Sequence, residues 1–128
     1  MAIARMRIKL AAILLVLVVS FSMFVPLADA ASLGGTTIRN GVTMTWKEWT
    51  IEKDVYATFS FNFSTEVPST VKAGYRLQTA LSNVYTATGN GTKTLSGSFT
   101  APATGMYNVN VYNGSSDTIT VKSGTLTF

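Results

Sequence analysis

Apolar and polar residues alternate along most of this chain with a period of two. Val55, Ala57, Phe59, Phe61 and Phe63 take the odd positions of one segment, and Tyr56, Thr58, Ser60 and Asn62 the even ones. Such alternation marks a strand with one buried face, so the odd set is predicted to enter a core. Tyr107-Val109-Val111 against Asn108-Asn110-Tyr112 repeats the pattern, and Leu95-Gly97-Phe99 gives a shorter example. Further strands are predicted over 71–81 and 83–88, and at Ile119-Val121 and Leu126-Phe128. Parity changes in two places. One lies between Val42-Met44-Trp46 and Trp49-Ile51, across Lys47-Glu48, and the other at Ser123-Gly124. A single inserted residue shifts every later side chain to the opposite face, so both places predict a β-bulge.

Turn signals separate these segments at intervals of about 8–12 residues, the spacing of an all-β sandwich or barrel. Asn40-Gly41, Asn90-Gly91 and Asn113-Gly114 each predict a tight turn in the left-handed conformation. No helical period of apolar residues extends over three turns. The expected fold is all-β: a single antiparallel β-sandwich, jelly-roll or immunoglobulin-like, of seven or eight strands over residues 42–128. Residues 31–41 are expected to be a flexible or edge-pairing segment before it.

The first thirty residues have a different character. Arg5, Arg7 and Lys9 precede the apolar run Leu10 to Val25, Pro26 ends it, and Ala28-Asp29-Ala30 supplies small residues where a signal peptidase reads the chain. All ten glycines and all nineteen threonines lie beyond residue 30. Residues 1–30 therefore read as a cleaved signal peptide, and the expected destination is secretion, without a lipid anchor at either end. The rival reading, an uncleaved anchor, is disfavoured by Ser20, Ser22, Pro26 and the cleavage motif. Removing the leader lowers the net charge from +4 to +2.

Composition removes several functions. The chain has no cysteine and no histidine, so it lacks the commonest general base and the most reactive nucleophile. No G-x-S-x-G motif occurs. Glu48, Glu52 and Asp54 share one parity on a strand-and-turn segment beside Lys47 and Lys53, whereas a glycosidase needs two carboxylates facing each other across a sugar. They read as solvated charges, and no enzymatic activity is expected. A structural calcium would have to draw on Glu52, Asp54 and Asp117, a thin supply for about six oxygen ligands. No cofactor is expected. The basic residues are scattered singly, so nucleic-acid binding is not expected either.

Aromatics carry the positive signal. Trp46 and Trp49 flank Lys47-Glu48, and Tyr56, Tyr85 and Tyr112 fall on positions assigned outward or in weaker strands. Exposed aromatic rings beside Asn, Thr and Lys suit stacking on the apolar faces of sugars. The competing reading is that the same rings cap the sandwich.

The final third of the chain, Thr100-Ala101-Pro102-Ala103-Thr104-Gly105-Met106-Tyr107-Asn108-Val109-Asn110-Val111-Tyr112-Asn113 and on to Phe128, resembles the Pro, Gly-x-Tyr and alternating apolar strand of small secreted bacterial jelly-roll domains, of which the pre-peptidase C-terminal type is one family. That resemblance implies a β-sandwich of the kind often accessory to a secreted enzyme, with a binding or maturation role. The acidic calcium-binding residues of some relatives have no counterpart here.

The functional expectation is a secreted, non-enzymatic binding or structural protein that engages cell-wall glycan or extracellular matrix through Trp46, Trp49, Tyr56, Tyr85 and Tyr112. Two alternatives stand beside it. One is a membrane-active toxin or antimicrobial effector, suggested by small size, amphipathic strands and slight positive charge. The other is a matrix or coat component that self-associates through its strand edges.

Overall fold

The computed structural model describes residues 29–128. The signal-peptide reading of residues 1–30 therefore falls almost wholly outside the described residues. Nine strands follow one another: β1 (Ala30–Leu33), β2 (Thr36–Ile38), β3 (Thr43–Ile51), β4 (Tyr56–Val67), β5 (Val71–Leu77), β6 (Val84–Thr88), β7 (Thr92–Thr100), β8 (Gly105–Asn113) and β9 (Ile119–Thr127). They form two antiparallel sheets of a β-sandwich. The first has the order β1-β9-β4-β7, with β2 also on β9, and the second has the order β3-β8-β5-β6.

The count is nine rather than seven or eight because the segment before residue 42 contributes two short strands. Both pair with β9, Ser32 opposite Thr125 and Thr37 opposite Thr120. Gly34 and Gly35 interrupt them. A β-carbon on Gly35 would sit 2.7 Å from the Lys122 carbonyl oxygen, so the backbones approach too closely there for any larger residue. Leu33 and Ile38 are buried on either side of the break.

The alternation read from β4 holds. Ala57, Phe59, Phe61 and Phe63 are buried, and Tyr56, Thr58 and Asn62 are exposed. Facing them from the second sheet are Tyr107, Val109 and Val111 of β8 and Val71 and Ala73 of β5. Each large side chain so buried contributes roughly 1.5–3 kcal/mol relative to exposure. At one end Tyr75 stacks on Phe99 with centroids 4.0 Å apart, and Phe99 lies 5.7 Å from Tyr107. The Tyr107 hydroxyl accepts from the Ala103 N–H at 3.2 Å and donates to the Ala103 carbonyl, so the 101–104 connection is tied to the core.

Both expected bulges are present. The β3–β8 register slips by one residue between Trp46, opposite Val109, and Trp49, opposite Tyr107. On β9, Ser123 pairs with Asn62 and Val121 with Phe63, so the extra residue is Lys122, one place earlier than Ser123-Gly124. Gly41 and Gly91 take positive φ, as their Asn-Gly pairs predict. Gly114 does not. It is a glycine because a β-carbon there would meet the Thr70 carbonyl oxygen at 2.6 Å.

Candidate functional site

Both tryptophans turn inward. The bulge at Lys47-Glu48 restores the parity of Trp49, so Trp46 and Trp49 pack against the core from the same side of β3. Trp46 lies 4.9 Å from Phe61, and its indole N–H donates to the Gly34 carbonyl at 3.0 Å. Tyr56 stands alone on the outer face of the first sheet, 63% exposed. Tyr85 and Tyr112 come together on the outer face of the second sheet, with ring centroids 6.3 Å apart. The five expected contact residues thus divide among three places.

The outer face of the second sheet is built around β8. Its even residues Met106, Asn108, Asn110 and Tyr112 point away from the core. By register, Thr43 and Lys72 flank Tyr112, Thr45 and Gly74 flank Asn110, and Arg76 lies beside Asn108. Gly74 in turn pairs with Tyr85 of β6. Strands two positions apart in a sheet lie nearly 10 Å apart. Rings at 6.3 Å therefore lean toward each other across β5, where Gly74 offers no side chain to obstruct them. Gly74 is also required by backbone approach, since its β-carbon would meet the Val84 carbonyl oxygen at 1.9 Å. At the other end of the face the Gln78 amide donates to the Glu48 carboxylate at 3.1 Å.

Beneath this surface lies an unusual pair. Alternation assigns Asn108 and Asn110 to the outer face, yet they are only 2% and 0% exposed. Asn108 Oδ1 and both amide atoms of Asn110 are buried without a hydrogen-bond partner in the protein. A buried polar group left in this state costs about 1–3 kcal/mol, and native folds hold few of them. An amide that presents one donor and one acceptor side by side matches two neighbouring hydroxyls, one accepting from Nδ2–H and the other donating to Oδ1. Sequence reading placed the two asparagines on the correct face and missed their depth; the strand beside them, with Gly74 opposite Asn110 and Arg76 opposite Asn108, lies far along the chain.

The outer face of the first sheet is also polar, but it is internally satisfied. Ser96 and Ser60 share a hydrogen bond of 3.0 Å, and Asn62 links Thr94 and Ser123 at 3.3 Å each. A shallow groove of about 410 Å³ runs over Tyr56, Thr58, Ser60, Ser96, Ser98 and Thr125. Its hydroxyls are paired or open to solvent, so nothing in the groove calls for a ligand.

The acidic residues do not assemble into a site. Glu48, Glu52 and Asp54 are all exposed, and Asp54 takes a left-handed φ of 69° at the turn into β4. Among the described residues no three acidic side chains lie close enough together to hold a metal ion. No protein-family model matches the chain, and no curated protein shows significant similarity to it.

Proposed function

We propose that this chain is an exported, non-enzymatic binding protein, and that it takes a glycan on the outer face of the β3-β8-β5-β6 sheet. The strand orders β1/β2-β9-β4-β7 and β3-β8-β5-β6 support a jelly roll over an immunoglobulin-like sandwich, with β1 and β2 sharing one strand position. The leader motifs around Arg5–Lys9 and Ala28–Ala30 support export. One observation carries the binding reading: unpartnered amide atoms of Asn108 and Asn110 lie beneath a face that also presents Tyr85 and Tyr112.

In this reading the two tyrosine rings stack on the apolar faces of the sugar. Side-chain rotation, which exposed residues undergo in picoseconds to nanoseconds, parts the rings and admits hydroxyls to Asn110. The amide then recovers the hydrogen bonds it lacks in the free protein, and a ligand without paired hydroxyls leaves it unsatisfied. That difference is the source of selectivity. Lys72 and Arg76 flank the site and tolerate an anionic wall polymer. Trp46 and Trp49 support the sheet from the core side instead of meeting the ligand.

The test is co-sedimentation of the protein with insoluble wall and matrix glycans. The wild type and Tyr56→Ala should be retained, and the double variant Tyr85→Ala/Tyr112→Ala should pass into the supernatant with its thermal transition intact. Retention of the double variant, or no retention of the wild type on any glycan, overturns the reading.

A further inference from the structure

We propose that β1 is exchangeable between copies of this chain, so that the β1 strand of one copy occupies the place beside β9 of another. The partner is a second copy, and the interaction surface is the β9 edge from Gly124 to Leu126. This inference does not depend on glycan binding.

Four observations carry it. First, β1 is short and pairs with β9 alone; beyond the leader, Ala31 lies opposite Leu126, Ser32 opposite Thr125 and Leu33 opposite Gly124. Second, the strand has a single deep anchor. Leu33 is buried at 2% and packs beside Gly124, whose absent β-carbon would lie 3.1 Å from Leu33 Cβ and 2.8 Å from Phe61. Third, a pivot follows at once. Gly34 has no atom within 4 Å of where a β-carbon would be, whereas Gly35 is wedged against the Lys122 and Val121 carbonyls. The chain can therefore swing at Gly34 while β2, beyond Gly35, stays on β9 and keeps the sheet closed. Fourth, the pivot is held by one clasp from another strand, the hydrogen bond from the Trp46 indole to the Gly34 carbonyl at 3.0 Å.

When β1 leaves, the Gly124–Leu126 edge presents a row of unpaired backbone groups, which is a template for another strand. It also opens a seat shaped for Leu33. The β1 of a second copy restores each lost contact with its identical counterpart, so the exchange costs little beyond association, and protein concentration sets the balance.

The absence of cysteine in the chain makes a clean cross-linking test available. Ser32 and Thr125 are register partners. Chains carrying only Ser32→Cys are mixed with chains carrying only Thr125→Cys, held at high concentration and oxidised. Disulfide-linked pairs should form in good yield. A mixture of Thr37→Cys and Thr125→Cys chains serves as the control, because Thr37 pairs with Thr120. A Ser32/Thr125 yield no greater than the control yield overturns the proposal. Adding Trp46→Phe removes the clasp, worth about one ordinary hydrogen bond, and should raise the initial rate of cross-linking roughly fivefold. An unchanged rate overturns Gly34 as the pivot. The cysteine mixtures retain Trp46, so they decide the question even where Trp46→Phe loosens the core. The Ser32→Cys/Thr125→Cys double variant, oxidised while dilute, should stay monomeric at concentrations where the wild type associates.

Discussion

Two positions of β8, three residues apart, treat the same amino acid in opposite ways. Asn113 is fully buried, and every part of its amide is used: Nδ2 donates to Ile38 O at 2.9 Å and Asp117 O at 2.7 Å, while Oδ1 accepts from the Ser115 N–H at 3.0 Å and its hydroxyl at 2.6 Å. Asn110 is buried to the same degree and uses neither amide atom. Equal burial therefore carries opposite energetic meaning. The first asparagine ties the end of β2 to the 113–117 connection and holds the fold together. The second gains no hydrogen bond to offset its burial, and under the proposal above it is kept for a ligand. Depth alone does not identify a structural residue. Satisfaction does.

This contrast makes definite predictions. Asn113→Ala removes the amide's hydrogen bonds to the Ile38 and Asp117 carbonyls and to the Ser115 N–H and hydroxyl, and should lower stability by about 3 kcal/mol in chemical denaturation. Next in size is Gly74→Ala. Its added carbon collides with the Val84 backbone, so it should cost about 2 kcal/mol and displace β6 with Tyr85, weakening glycan retention as well. Asn110→Leu should move in the other direction. With the unpartnered amide gone, unfolding should be harder by about 1 kcal/mol, while glycan affinity falls at least roughly tenfold, the equivalent of 1.4 kcal/mol. A variant that loses stability at Asn110 as it does at Asn113 would abolish the distinction. The smallest effect is expected of Tyr112→Phe, which keeps the ring and should leave stability within about 0.5 kcal/mol of the wild type.

The sandwich was legible wherever period two was sustained. Phe59, Phe61 and Phe63 announced their face directly, and the parity conflict between Trp46 and Trp49 located a bulge to within two residues. That bulge turned Trp49 to the core side, which took both tryptophans off the surface where a sugar-binding reading would place them. Asn113-Gly114 misled because an Asn-Gly pair has the same appearance whether it makes a left-handed turn or, as here, supplies a buried amide and a gap for the Thr70 carbonyl. Asn108 and Asn110 show the deeper limit. Alternation reports which face a side chain takes, and depth is decided by residues on neighbouring strands. Only the pairing of β5 with β6 brings Tyr85 opposite Gly74, and nothing within β8 encodes that.

The place of β9 has a consequence for timing. It sits between the β1/β2 position and β4 in the first sheet, so the last strand described fills an interior position of that sheet. Until it arrives, β4 lacks one of its two neighbours, β1 and β2 have nothing to pair with, and Leu33, Ile38 and Leu126 have no shared interior. Such long-range pairing cannot begin locally and is slow by nature. The first sheet therefore closes only once all nine residues of β9 are in place, whereas the β3-β8-β5-β6 sheet has its pairing partners without it.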